Sequence, residues 1–267
     1  MASLAAQFGL AGRRAVVGGA TQGIGRACAL ALAEAGADVT IMGRNDEALA
    51  LVVAQMQAAR SGNHSSVCVD FADWKRVQAA AAQIAATGPV HALIHNTGGP
   101  AAGFAVDSAP EEFARAMELH LLTGQALVQA LAPGMREARY GRIVYIGSTS
   151  VVTPIRGLGV SNSVRAAMAN WIRSLAAELG RFGITANTIL PGYTKTARLD
   201  SLFRGRATRA GSTVEQVEAD AVAGIPAGRL GKPEEIAAAA VFLCSPAGAY
   251  VNGVNLAVDG GRLAVQT

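Results

Sequence analysis

Three glycines within seven residues, in Gly19-Ala20-Thr21-Gln22-Gly23-Ile24-Gly25, constrain this chain more than any other feature. The buried-looking run Ala15-Val16-Val17 precedes them, and the amphipathic stretch from Arg26 to Ala35 follows, closed by Gly36 in the manner of a C-terminal helix glycine. The pattern predicts strand, tight turn and helix in succession. Small residues are needed where a chain reverses sharply, where its backbone must approach a ligand, and where a helix packs close to a sheet. A helix that starts at such a turn points unpaired N–H groups and a positive dipole end outward, and that combination binds phosphate. In this strand–turn–helix setting, Gly19, Thr21, Gln22, Gly23, Ile24 and Gly25 are the candidate pyrophosphate cradle of a dinucleotide site.

The rest of the chain repeats the alternation. Strands are expected at Asp38 to Met42, Val67 to Val69, Ala92 to His95, Ile143 to Ile146, Thr185 to Leu190 and Val254 to Val258. Helices are expected from Asp46 to Ala59, Asp73 to Ala86, Ser108 onward through Pro110, Leu119 to Arg139, Val160 to Phe182 and Glu234 to Leu243. Strands separated by helices imply parallel βαβ units, and continuously apolar strands suit a sheet covered on both faces. The expected fold is therefore α/β: a Rossmann-type, doubly wound parallel sheet of about seven strands. The 267 residues fit one such domain. The polar, Arg-rich stretch 193–226 reads as irregular, a candidate substrate loop or lid beyond the carboxyl end of a strand.

Composition excludes several classes. Basic residues are scattered and only 5% of residues are aromatic, which argues against a nucleic-acid surface. No apolar run approaches the ~20 residues of a membrane span, and the N-terminal ten residues lack a signal-peptide pattern. Cys28, Cys68 and Cys244 are dispersed and odd in number; they read as buried free thiols, no metal site is expected, and the location expected is cytoplasmic.

The end of the second strand distinguishes two dinucleotides. An acidic residue there accepts the ribose 2′-hydroxyl of NAD, whereas arginine accommodates a 2′-phosphate. Gly43 and Arg44 occupy the position, so NADP(H) is expected over NAD(H). Asp70 and Phe71 follow the third strand, where Asp70 is placed either to meet an adenine amino group or to form a turn. Asn96, Thr97 and Gly98 follow the fourth strand and form a candidate ribose loop.

These residues resemble the short-chain dehydrogenase/reductase family, in the group related to 3-oxoacyl-acyl-carrier-protein reductases. The resemblance spans nearly the whole chain. It includes the glycine turn, His95-Asn96-Thr97-Gly98, Pro191-Gly192 with Thr194 and Thr196, Gly228-Arg229-Leu230-Gly231-Lys232-Pro233-Glu234-Glu235, and Val258-Asp259-Gly260-Gly261. It implies a cofactor-dependent carbonyl/alcohol oxidoreductase, a small-molecule substrate and a homotetramer packed through the two long helices and the C-terminal segment. Such enzymes use a Ser, Tyr, Lys and Asn quartet. Ser148 matches the Ser, but Ser161 stands where Tyr is expected, Arg165 where Lys is expected and His120 where Asn is expected. An aliphatic hydroxyl is a far weaker acid than a phenol, and arginine cannot shuttle a proton near neutral pH. Arg165 can still hold ribose hydroxyls. A non-standard proton donor is therefore expected, with His120 first, Tyr193 second and His95 third; each also fits a packing role. Tyr140 and Tyr145 read as packing residues. The alternative is a catalytically silent NADP(H)-binding sensor or partner subunit.

Overall fold

The computed structural model describes residues 3–265. A short helix α1 (Leu4–Phe8) precedes β1 (Arg14–Gly18), and the glycine turn leads into α2 (Gly23–Glu34). Then come β2 (Asp38–Gly43), α3 (Asp46–Ala59), β3 (Ser65–Cys68), α4 (Trp74–Ala86) and β4 (Ala92–His95). The second half runs α5 (Pro110–Met117), α6 (Thr123–Glu137), β5 (Gly141–Ile146), α7 (Gly159–Leu179) and β6 (Ile184–Pro191). Helices α8 (Ala197–Ala210), α9 (Val214–Ala223) and α10 (Pro233–Cys244) lead to β7 (Asn255–Val258).

All seven strands are parallel, in the order β3-β2-β1-β4-β5-β6-β7. Successive side chains on a strand point to opposite faces, and each face is covered. On one side Val16, Leu93 and Ile143 pack under α4, α6 and α7 through Val77, Leu127 and Met168. On the other, Val17, Ile41 and Val144 pack under α2, α3 and α10 through Leu32, Met56 and Ala240. Such a core is the expected doubly wound α/β fold in one domain. The order reverses between β1 and β4, and a crevice opens there at the strands' carboxyl ends.

Three sequence expectations change. The stretch 193–226 is largely regular: Thr196 caps α8 by accepting from the Leu199 amide, and Thr213 caps α9 by accepting from the Gln216 amide. Arginines disguised α8, because arginine is a good helix former whose charge masks the apolar stripe of Leu199, Phe203 and Ala207, whereas α9 buries no residue at all. The helix expected through Pro110 forms as α5, and the one expected from Leu119 to Arg139 starts only at Thr123, the two being joined by a π-turn at Glu118–Leu122. One extra residue in that turn breaks the 3.6-residue period on which the reading relied. Cys28 and Cys244 are buried free thiols, but Cys68 is exposed because β3 is an edge strand. No helix among the described residues is long and apolar enough to cross a membrane.

Candidate functional site

A cleft of about 1100 Å³ lies over the carboxyl ends of the strands. Its first half is built on the glycine turn. Gly19 and Gly23 have φ of +56° and +55°, in the left-handed region that favours glycine. A Cβ on Gly25 would stand 2.3 Å from the Gly19 carbonyl oxygen, so the turn closes on itself too tightly for any side chain. Asn96 holds it from beneath: its Nδ2 donates to the carbonyls of Gly18 (3.3 Å) and Gly19 (3.1 Å). Asn45 and Asp73 cap α3 and α4 with their side chains, whereas the α2 N-cap Gln22 offers none. The first-turn amides of α2 are thus left facing the cleft beside a side-chain-free cradle, an arrangement that fits a pyrophosphate.

The structure brings most of the sequence-derived candidates to this one cleft. Gly19, Thr21, Gln22, Gly23, Ile24, Arg44, Asp70, Phe71, Asn96, Thr97 and Gly98 line it, and so do Ser148, Ser161, Arg165, Pro191, Gly192, Thr194 and Thr196. Gly25 does not line it; it is buried behind the turn that it permits. Asp70 forms a turn, its Oδ1 accepting from the Ala72 amide at 3.0 Å. Asn96 braces the glycine turn from the start of the 96–99 loop. Thr194 and Thr196 shape the turn after β6, where a Cβ on Gly192 would meet the Asp259 Cα at 2.7 Å.

The second half lies between β5, α7 and α8. Ser148 follows β5 and accepts the Ser150 amide at 3.1 Å, capping a short 3-10 turn. Asn162 clasps Ile155 through its backbone N–H and C=O, which brings the 149–158 loop against α7. Arg165 is fastened on two sides: Nη1 donates to the Ile146 and Gly147 carbonyls (3.0 and 2.9 Å), and Nε to the Ser161 hydroxyl (3.2 Å). Its Nη2 faces Gly99 across the cleft.

His120 is a correction. The π-turn rotates it inward, where it is fully buried, does not line the cleft and lies 2.7 Å from the Thr97 hydroxyl. Burial, then the Arg165 charge, holds its pKa well below the usual histidine range. It is therefore a neutral imidazole at neutral pH and a poor proton donor. His95 is equally buried, bonded to the His120 carbonyl at 2.8 Å, with its pKa lowered to about 4 chiefly by burial. Tyr145 packs in the core as expected, yet its hydroxyl also stands 3.4 Å from Arg165 Nη1 and 3.4 Å from His120 Nδ1.

Tyr193 does line the cleft; among the described residues it is the only tyrosine or histidine that does so. Its hydroxyl accepts from Arg206 Nη1 at 3.0 Å, and the Arg262 guanidinium lies 4.6 Å from its ring centroid. Arg198, Arg206 and Arg262 also line this half. Among the described residues no group of three His, Cys, Asp or Glu side chains is arranged to hold a metal ion.

Residues 19–262 match the family model described as enoyl-(acyl carrier protein) reductase. The chain is 33% identical to the 3-oxoacyl-(acyl-carrier-protein) reductase FabG of Vibrio cholerae, over 94% of this chain and 98% of that protein. It is similar to the structure of a 3-oxoacyl (acyl-carrier-protein) reductase from Agrobacterium tumefaciens C58 with NADP bound (28% identity, TM-score 0.86, 97% of each chain). It is also similar to L-sorbose reductase from Gluconobacter frateurii complexed with NADPH and L-sorbose (27% identity, TM-score 0.91, 98% of this chain and 99% of that chain).

Proposed function

The chain belongs to the short-chain dehydrogenase/reductase family, and from that premise we propose that it is an NADP(H)-dependent oxidoreductase that interconverts a carbonyl and an alcohol with Tyr193 as the proton donor. One observation carries the reading: the glycine cradle, Ser148, Ser161, Arg165 and Tyr193 line a single cleft, and Tyr193 is the phenol on it.

The bound dinucleotide supplies the hydride. The α2 amides would hold its pyrophosphate, and Arg44, exposed after β2 with no carboxylate at that strand end, would favour the 2′-phosphate of NADP(H). Arg165 takes the place of the family lysine and Ser161 that of the family tyrosine. Arg165 offers one N–H of Nη2 to a ribose hydroxyl, leaving the other free, while Nη1 and Nε stay anchored. In the reductive direction Ser148 donates to the substrate carbonyl oxygen. As the carbonyl π pair moves onto that oxygen, the Tyr193 phenol gives it a proton, and the phenolate recovers one from water. Arg206, donating to the phenol oxygen, orients the hydroxyl within the cleft. The segment 193–226, with α8 and α9, serves as the lid over the substrate half. The assembly proposed is a homotetramer, which light scattering tests.

The second reading, a catalytically silent NADP(H)-binding protein, is favoured by Ser161 and Arg165 themselves. Both readings are tested by following NADPH oxidation over a carbonyl panel, with NADPH and NADH titrated in parallel. Tyr193→Phe is expected to lower kcat by about 10²–10⁴-fold with NADPH affinity retained. Turnover equal in Tyr193→Phe removes Tyr193 as the acid. Turnover no higher than in Ser148→Ala establishes the silent reading.

A further inference from the structure

Arg198 extends from the first turn of α8 into the cleft and donates Nη2 to the Pro100 carbonyl. That Nη2 stands 3.4 Å from the point a Cβ on Gly99 would occupy, and Arg165 Nη2 stands 3.5 Å from the same point. Two guanidiniums, from α7 and α8, thus converge on one glycine. The Arg165 Nη1 and Nε atoms are committed to carbonyls and to Ser161, so its remaining edge and Arg198 face each other over open cleft.

No carboxylate answers them. Among the described residues the side-chain ion pairs are Arg76–Asp73 and Arg229–Glu235, and none of these four residues lines the cleft. The carboxylates that line it, Glu34, Asp70 and Glu234, belong to the half formed by α2, the loop after β3 and the start of α10. Burial and the Arg165 charge both depress the Arg198 pKa, which is the electrostatic signature of a cation lacking a counter-charge. Arginine does not relieve such repulsion by losing its proton under ordinary conditions; it is relieved by an anion.

The α2 amides would take the cofactor's pyrophosphate and Arg44 its 2′-phosphate; the α8 N-cap Thr196 packs beside Gly23 of that cradle, and Arg198 reaches instead to Gly99 and the Pro100 carbonyl. Ile155, Leu158 and Leu202 supply apolar wall around the arginines. We propose that the substrate is a small oxo or hydroxy compound bearing an oxyanion group, a carboxylate or a phosphate monoester, which is clamped between Arg165 and Arg198. A planar two-oxygen anion matches the fork of a guanidinium and gives it paired, charge-assisted hydrogen bonds. This assignment rests on the functional reading above, because it takes the half beside Ser148 as the substrate half.

The test uses the full-length protein and matched carbonyl pairs: 3-oxobutanoate against its methyl ester, and dihydroxyacetone phosphate against dihydroxyacetone. Wild type is expected to prefer the charged member of at least one pair by tenfold or more in kcat/KM, and the pair that shows it identifies carboxylate or phosphate. Arg198→Gln is expected to bring that ratio close to one, and Arg198→Lys to restore part of it. Equal rates within both pairs overturn the proposal, as does a ratio unchanged in Arg198→Gln. An Arg198→Gln variant that loses NADPH affinity but keeps the ratio also overturns it, because the arginine is then a cofactor ligand. If no carbonyl is reduced although NADPH binds, the functional reading fails, and the clamp is read by titrating malonate and inorganic phosphate calorimetrically into NADP⁺-loaded protein. Binding that Arg198→Gln weakens at least tenfold upholds the clamp; no binding, or binding that is unchanged, removes it.

Discussion

Arg165 donates through Nε to the hydroxyl of Ser161, one helical turn earlier, at 3.2 Å. In the proposed reading these two residues take the places of the family's lysine and tyrosine, and the pair is a positioned cation and a short hydroxyl instead of a cation and an acid. Arg165 is also a structural strut, because Nη1 satisfies the carbonyls of Ile146 and Gly147 at the end of β5.

Arg165→Leu removes that strut and leaves two part-buried carbonyls short of a donor. An unsatisfied buried acceptor costs about 1–3 kcal/mol, so urea melts are expected to show a loss of that order. Arg165→Lys restores a charge without the planar fork, and is expected to recover part of the stability while NADPH binding stays weaker than in wild type. Unchanged melts in Arg165→Leu refute the strut.

Gly25→Ala puts a methyl group 2.3 Å from the Gly19 carbonyl oxygen, which is backbone and cannot swing aside. Relief requires the turn to open. Overpacking of this kind costs about 1–3 kcal/mol, and the displaced cradle is expected to lose most NADPH affinity. Wild-type affinity in a folded Gly25→Ala protein, measured by fluorescence titration, separates the turn from the cofactor.

His95 sets a pH limit on stability. Burial lowers its pKa from the ordinary 6.5 to about 4, and His120 is shifted in the same direction. The unfolded chain takes up a proton on each near pH 6.5, whereas the folded chain resists until the pH is lower. Stability is therefore complete above pH 6.5 and falls as the pH drops from 6.5 towards 4, by about 3 kcal/mol for His95. Thermal melts across this window show the fall, and His95→Gln is expected to flatten it. An identical slope in the variant assigns the fall to other groups.

The sheet and its cradle were legible because both arise from short-range rules. Apolar runs of strand length, helices of amphipathic period and three glycines at a strand–helix junction each report local backbone behaviour. The α8 helix was hidden by its arginines, and α9, whose residues Val214–Ala223 are none of them buried, bears no apolar stripe that would stand out. Tyr145 was rightly read as core, but its hydroxyl contact with Arg165 crosses 20 positions and leaves no trace in the pattern.

The amino-acid order by itself determined the α/β layering, the turn at Gly19, Gly23 and Gly25, and the presence of Ser161 and Arg165 at the head of α7. Only the tertiary structure decided that His120 is sealed from the cleft and that Tyr193, Arg198, Arg206 and Arg262 surround its far half. The reason is physical. Backbone conformation is set among near neighbours, whereas the direction, burial and charge environment of a side chain are set by elements that meet only after the sheet has closed.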